Sequence, residues 1–383
     1  MKQTAAIFIS ILLIFSLCLP VFAAGERIDL DAKGAVLIDM NTGKVLYAEK
    51  ENERLYPASI TKVMALILVM DALESGKIKL TDKVAASENA VSYGGSQIWL
   101  EVGEEMTVDD MLKAVVVASA NDACTALGEF VSGSSDAFVA AMNKKAGELE
   151  LKNTHFENCT GLDENEKNHY SSALDIALMS RELMRHELIR KYSCIWMDSL
   201  RGGKTELVNT NRLVRFYNGC IGLKTGTTTK AGFCVSAVAA RDGTELCAVI
   251  LGAKNSDERF NSAARLLDYG FANFETVSPA IDINNLQVKL RGGAQDSLAL
   301  TLASEHPLVT APKGSGEQVS TKIQLPAEVK APVEKGQVIG TATFYLGEEK
   351  LGSVEIISAS TAEKLTFWGA LEKLLKSAVT NFK

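Results

Sequence analysis

Ser59 and Lys62 stand three residues apart, in Pro57-Ala58-Ser59-Ile60-Thr61-Lys62, where an apolar run begins. Val63, Leu66, Ile67 and Met70 recur at helical spacing and Gly76 closes the run, so the pattern predicts a helix starting at the serine. Positions i and i+3 share a helix face, which brings the hydroxyl and the amine together. A serine hydroxyl is a weak nucleophile until a base takes its proton, and a neutral amine one turn away is such a base. The free N–H groups of a helix start suit a developing oxyanion. Two further short stretches carry chemistry-bearing residues: Ser119-Ala120-Asn121 at the end of the apolar run Ala114–Ala118, and Lys224-Thr225-Gly226 just before a strongly apolar hairpin.

The elements that position these residues read as an α+β arrangement. Ala35–Asp39 and Val45–Tyr47 flank Asn41-Thr42-Gly43 and predict a β-hairpin. From Thr81 to about Tyr192 the pattern is mostly helical. It comprises Val108–Ser119 capped by Thr107, Ser135–Leu149, and Ser171–Arg190, with loops rich in Gly, Asn and Asp between them. Phe233–Ala240 and Leu246–Leu251 predict a second hairpin, followed by a helix over Ser256–Tyr269. Strands at both ends of the segment therefore share one antiparallel sheet around a helical insert. Beyond Val277, alternating runs at Leu286–Leu290, Leu298–Leu302, Lys322–Leu325 and Ser353–Ile356 predict a small β-sandwich or barrel.

The chain has 383 residues, 47% hydrophobic and 23% charged, with a formal net charge of −7. That is enough for two domains and gives no global basic field for nucleic acid. Lys2, the apolar stretch Ala5–Leu19 and Val21-Phe22-Ala23 predict a secretory signal cleaved after Ala23, with a retained membrane anchor as the alternative. The expected divisions are residues 1–23, 24–276, 277–360 and 361–383. In the last, Leu365, Trp368, Leu371, Leu375, Ala378 and Phe382 line one helical face opposite lysines, which suits a helix lying in a membrane interface. The expected location is the outer face of the cytoplasmic membrane. Beyond Cys18, the six cysteines are widely spaced and read as mostly buried thiols. With no C-x-x-C or H-E-x-x-H stretch and four scattered histidines, no metal site is expected.

S-x-x-K, S-x-N and K-T-G follow one another at residues 59, 119 and 224. With these motifs, and with Gly94-Gly95-Ser96-Gln97-Ile98, Thr160-Gly161-Leu162-Asp163 and His169-Tyr170-Ser171-Ser172-Ala173, the chain resembles the low-molecular-mass penicillin-binding proteins over nearly its whole length. These are serine-type D-alanyl-D-alanine carboxypeptidases, and the likeness is to the DacF-type. The resemblance implies Ser59 as acyl-ester nucleophile, Lys62 as general base with a pKa lowered by burial and by Lys224, and Ser119 as proton relay. It implies Asn121 as a hydrogen-bonding partner of Lys62 and of the substrate amide. Lys224, Thr225, Gly226 and Thr227 would bind substrate, with the Ser59 and Thr227 N–H groups as oxyanion hole and Gly226 leaving room for an extended peptide. Arg212 and Arg215 are secondary candidates for attracting the substrate carboxylate. The implied partners are peptidoglycan stem peptides ending in D-Ala-D-Ala, β-lactams and the membrane surface, with no cofactor. A β-lactamase and a non-catalytic wall-binding protein remain open as alternatives.

Overall fold

The first apolar runs of the chain pair with each other and with runs two hundred residues later. In the computed structural model, which describes residues 28–163, 166–283, 286–304 and 306–371, β1 (Gly34–Asp39) and β2 (Val45–Glu49) form an antiparallel hairpin. Beyond it lie β3 (Cys220–Thr228), β4 (Gly232–Arg241) and β5 (Thr244–Ala253). The five strands form one antiparallel sheet in the order β2-β1-β5-β4-β3. The Lys224-Thr225-Gly226 stretch, expected to precede a hairpin, is itself part of the edge strand β3. Alternation explains the continuous apolar runs. Val36, Ile38, Cys247, Val249 and Leu251 join the helical core on one face. On the other face Leu37 and Leu246 lie where a Cβ at Gly270 would be, so the Ser256–Asn273 helix packs closely there.

Between β2 and β3 the chain is mainly helical. A 3-10 turn, Ala58–Thr61, leads into α1 (Lys62–Glu74). α2 (Val108–Val117) is capped by the Thr107 hydroxyl, which accepts from the Asp110 N–H. α3 (Asn121–Ser132) follows after three residues and is a helix where loop was expected. Its interior Gly128 explains the discrepancy: a Cβ there would meet the Phe138 ring at 2.5 Å, so glycine serves close packing against α4 (Ser135–Glu148). The helix expected over Ser171–Arg190 is two, α5 (Ala173–Met184) and α6 (Glu187–Ser193). The backbone leaves helical geometry at His186, whose Nδ1 lies 2.7 Å from Glu74 Oε1.

After α7 (Ser256–Asn273) the chain forms a smaller all-β unit with its own core around Leu298, Val333, Ala342, Phe344 and Ile356. A six-stranded sheet is built from residues 287–358, and Phe274–Val277 pairs with Val309–Pro312 in a two-stranded ladder. This ladder meets the first sheet through Asp39, which is fully buried. Its Oδ2 accepts from Thr276 Oγ1 (2.8 Å) and Thr310 Oγ1 (2.6 Å), while Oδ1 accepts from the Asn41 and Thr42 amides (2.8 and 3.3 Å). Residues 367–371 are helical, with Phe367 and Trp368 exposed. The expected export signal, 1–23, and residues 372–383 of the expected amphipathic tail lie outside the described residues. Cys124, Cys159, Cys234 and Cys247 are buried thiols as anticipated, whereas Cys194 is exposed and Cys220 half-buried.

Candidate active site

The three motifs converge although 60 and 105 residues separate them. Ser59 sits on the 3-10 turn, one residue after Ala58, whose φ of +48° is rarely adopted by a residue with a Cβ. Gly161 makes that turn possible. Its own φ is +84°, and a Cβ there would overlap the Ala58 carbonyl oxygen. Gly226 of β3 lies against the same turn, since its Cβ would fall 2.8 Å from Ser59 N and 2.9 Å from Pro57 O. The missing side chain therefore makes room for the backbone of Ser59 itself, a different reason from the approach of an extended peptide.

Lys62 begins α1 and is fully buried. Its Nζ donates to Ser59 Oγ (3.0 Å), Asn121 Oδ1 (2.6 Å) and the Thr160 carbonyl (2.8 Å). Burial pulls its pKa down to about 8. Desolvation dominates this shift, and the repulsion with Lys224 expected from sequence shows instead in the lowered pKa of Lys224. An ammonium uses all three acceptors. A neutral amine can keep two and turn its lone pair to Ser59.

Asn121 opens α3, with its Nδ2 donating to the Gly94 carbonyl (2.6 Å) and its backbone N–H to the Ser96 carbonyl (2.7 Å). Both ends of the carboxamide are thus engaged by the protein. Ser119, between α2 and α3, has φ of +64° and is 3% exposed, and among the described residues its Oγ has no hydrogen-bond partner. Buried hydroxyls are ordinarily paired, and strained residues concentrate where chemistry needs them.

Lys224 is also buried, and its Nζ donates to the Thr225 carbonyl (3.2 Å). Burial first, then the charges of Lys62 and Arg259, hold its amine well below the ordinary lysine value. Thr225 Oγ1 donates to Thr210 Oγ1 (2.7 Å) and Thr227 Oγ1 to the Gly226 carbonyl (2.8 Å). A cleft of about 200 Å³ is lined by Ser59, Ser96, Ser119, Thr210, Thr225, Gly226, Thr227 and Arg259. Ser59, Ser119, Thr225, Gly226 and Thr227 thus meet at its wall, with Lys62 hydrogen-bonded to Ser59 and Asn121 to Lys62.

The sequence reading missed Arg259. It lies on α7 and is 6% exposed, and its Nη1 donates to Thr227 Oγ1 (3.1 Å) and to the Gly226 carbonyl (3.2 Å). Its Nε has no hydrogen-bond partner among the described residues. Burial first, and then the like charge of Arg212, lowers its pKa to about 10 against the opposing effect of Cys234, and it is still charged at neutral pH. Arg212, a candidate from sequence, instead pairs with Asp257 at 2.5 Å and stacks over Phe260. Only helical periodicity on α7 was visible in the sequence; nothing local marked Arg259 as facing β3. His169 was likewise missed. Its Nε2 lies 2.8 Å from Thr61 Oγ1, and its Nδ1 accepts from the Glu157 amide (3.1 Å), which fixes the proton on Nε2. Burial lowers its pKa to about 4, so it is neutral as it braces the turn.

A hydroxyl bonded to a buried amine, beside a cation-lined cleft, is the arrangement of a serine acyl-transfer site. The family described as D-alanyl-D-alanine carboxypeptidase matches residues 21–255. The chain belongs to this family. The C-terminal domain of penicillin-binding protein 5 matches residues 274–364. The D-alanyl-D-alanine carboxypeptidase DacF of Bacillus subtilis is 44% identical over 350 residues, 90% of this chain and 89% of its own length. DacC of Escherichia coli, of the same description, is 36% identical over 91% of this chain and 89% of its own. The crystal structure of penicillin-binding protein 5 from Haemophilus influenzae superposes with a TM-score of 0.79, at 32% identity, over 88% of this chain and 99% of that one. The α+β architecture with its small all-β unit is therefore that of the family.

Proposed function

We infer that the protein is a serine-type D-alanyl-D-alanine carboxypeptidase of the DacF type, a hydrolase that removes the terminal D-alanine from peptidoglycan stem peptides and takes β-lactams at the same serine. The observation that carries this reading is the bond from buried Lys62 to Ser59 Oγ (3.0 Å) at a cleft that Arg259 also lines. Neutral Lys62 takes the Ser59 proton as Oγ attacks the carbonyl between the two D-alanines. The Ser59 and Thr227 N–H groups receive the developing oxyanion. Ser119, with its unpaired Oγ, passes the proton to the leaving amine, and the C–N bond breaks to leave the acyl ester on Ser59 and free D-alanine. Water then cleaves the ester, returning the hydroxyl and a shortened peptide. Asn121 orients Lys62 throughout. The terminal carboxylate is met by Thr225, Thr227 and the Arg259 guanidinium. Lys224, buried in the same strand two residues before Gly226, adds positive potential in proportion to its protonated fraction.

None of the described residues lining the cleft is a glutamate or aspartate that could activate water for rapid lactam turnover. This supports a carboxypeptidase over a β-lactamase. The chain is further read as exported by residues 1–23, with residues 24–276 catalytic, residues 277–360 a β domain, and residues 361–383 lying peripherally on the outer face of the cytoplasmic membrane. The exposed Phe367 and Trp368 support this reading of the tail.

The test is release of D-alanine from a Lys-D-Ala-D-Ala peptide by the purified protein and by Ser59→Ala. Release that vanishes in the variant is expected. A folded protein that releases none, and whose Ser59 takes up no labelled penicillin, would favour the non-catalytic alternative.

A further inference from the structure

Trp99 is held in a costly conformation and presents its ring to water. Its φ is +58°, a region that residues with side chains seldom occupy, and it is 78% exposed. Both flanking residues point inward: Ile98 and Leu100 are 2% and 4% exposed. The backbone is pinned from two sides. The fully buried Asp122 carboxylate accepts from the Ile98 amide (3.2 Å) and the Leu100 amide (3.1 Å). Arg201 donates to the Ile98 carbonyl (2.9 Å) and is itself paired with Glu104 (2.7 Å). Three residues before Trp99, Ser96 lines the catalytic cleft, and its carbonyl accepts from the Asn121 amide. An exposed ring adds nothing to the core, so this investment has no folding return.

We propose that Trp99 is a docking platform for the pyranose ring of the amino sugar that carries the stem peptide, extending the cleft along the substrate. The proposal rests on the carboxypeptidase reading given above. A cleft of about 200 Å³ takes little more than the two terminal residues, so the rest of the substrate lies on the adjoining surface. Three stem residues separate the acylated D-alanine from the sugar and span roughly 10 Å when extended, and the three residues from Ser96 to Trp99 can reach at most about as far. The flat indole offers an apolar face to the axial C–H groups of a pyranose, and its N–H offers a donor to an acetamido carbonyl. The rival occupant, the side chain of a stem residue, is separated by the test.

Trp99→Gly removes the ring and suits the left-handed backbone. Binding is measured by calorimetry with the full chain in a Ser59→Ala background, where substrate stays intact. The ligands are a disaccharide pentapeptide and the same pentapeptide without sugar. The expected result is about tenfold weaker binding of the sugar-bearing ligand, with the loss confined to it and the melting temperature unchanged or raised. Equal losses for both ligands would assign Trp99 to the peptide, no loss would leave it without a ligand, and a lowered melting temperature with equal losses would make it structural; each overturns the proposal. With Ser59 intact, Trp99→Gly is expected to raise KM for the sugar-bearing substrate and leave kcat near the parent value. If the parent protein releases D-alanine from neither ligand, the carboxypeptidase reading fails, while the binding measurement still decides the role of Trp99.

Discussion

In the proposed reaction Lys62 is the base, and its protonation would set the pH dependence. A lysine that titrates near 8 rather than at 10.5 is a base for part of the population at neutral pH. The acylation rate is therefore expected to rise with pH and level off above about 8, which rapid-quench measurement with a labelled penicillin checks. Lys62→Arg, whose guanidinium stays charged, should abolish that rise along with the activity. The same shift acts on folding with a definite sign. Between pH 8 and 10.5 the unfolded chain holds more protons on this lysine than the folded one, so its burial penalty is relieved as pH climbs through that window. Arg259, in the cleft wall, would meet the other end of the substrate under the proposed function. Arg259→Gln is expected to raise KM for a D-Ala-D-Ala peptide about tenfold or more, and to affect less a substrate whose terminal carboxylate is amidated. Steady-state kinetics on the two peptides separates loss of carboxylate recognition from general damage to the strand.

At the scale of elements, the turn that carries Ser59 depends on two glycines, Gly161 and Gly226, that leave it room by lacking a side chain. Gly161→Ala sets a Cβ against the Ala58 carbonyl and forces a side chain into a left-handed backbone. We expect a loss of roughly 2–4 kcal/mol in stability and of nearly all penicillin labelling, read by denaturant unfolding and by a fluorescent lactam. Gly161 was legible in the sequence only as part of Thr160-Gly161-Leu162-Asp163; why it must be glycine appears once the loop is seen against the turn. The hairpins and α1, α2 and α7 were legible because their apolar periodicity runs unbroken to a turn or cap residue. α3 was hidden because Gly128 looks like a breaker and is a packing device. The end of α5 was hidden because His186 leaves the helix for a partner on α1, a choice made by tertiary contact. Likewise, the motif residues of the site announced themselves by type and order, whereas Arg259 and His169 act through strand and loop neighbours that sequence spacing does not reveal.

At the scale of the molecule, one buried carboxylate ties the two sheets. Asp39→Ala leaves two threonine hydroxyls and two amides without their acceptor, at a cost of about 1–3 kcal/mol. Calorimetry is expected to resolve two thermal transitions in the variant, because the β unit has its own apolar core, where the parent shows one. The distribution of charge has a further consequence. The chain carries a formal net charge of −7, yet none of the described residues lining its cleft is acidic and Arg259 sits in the wall. An anionic peptide or lactam is thus repelled at long range and attracted at short range. Dissolved electrolyte weakens the first force before the second, because a sheltered cation is screened less than a surface field with a Debye length near 8 Å at 0.15 M. Association should consequently quicken as sodium chloride is added from very low levels, pass through an optimum, and slow again once chloride itself competes for the guanidinium. Sulfate or phosphate, with more charge and more oxygen acceptors, would bring that downturn at lower concentration, so the choice of buffer anion would tune the apparent penicillin sensitivity of the protein.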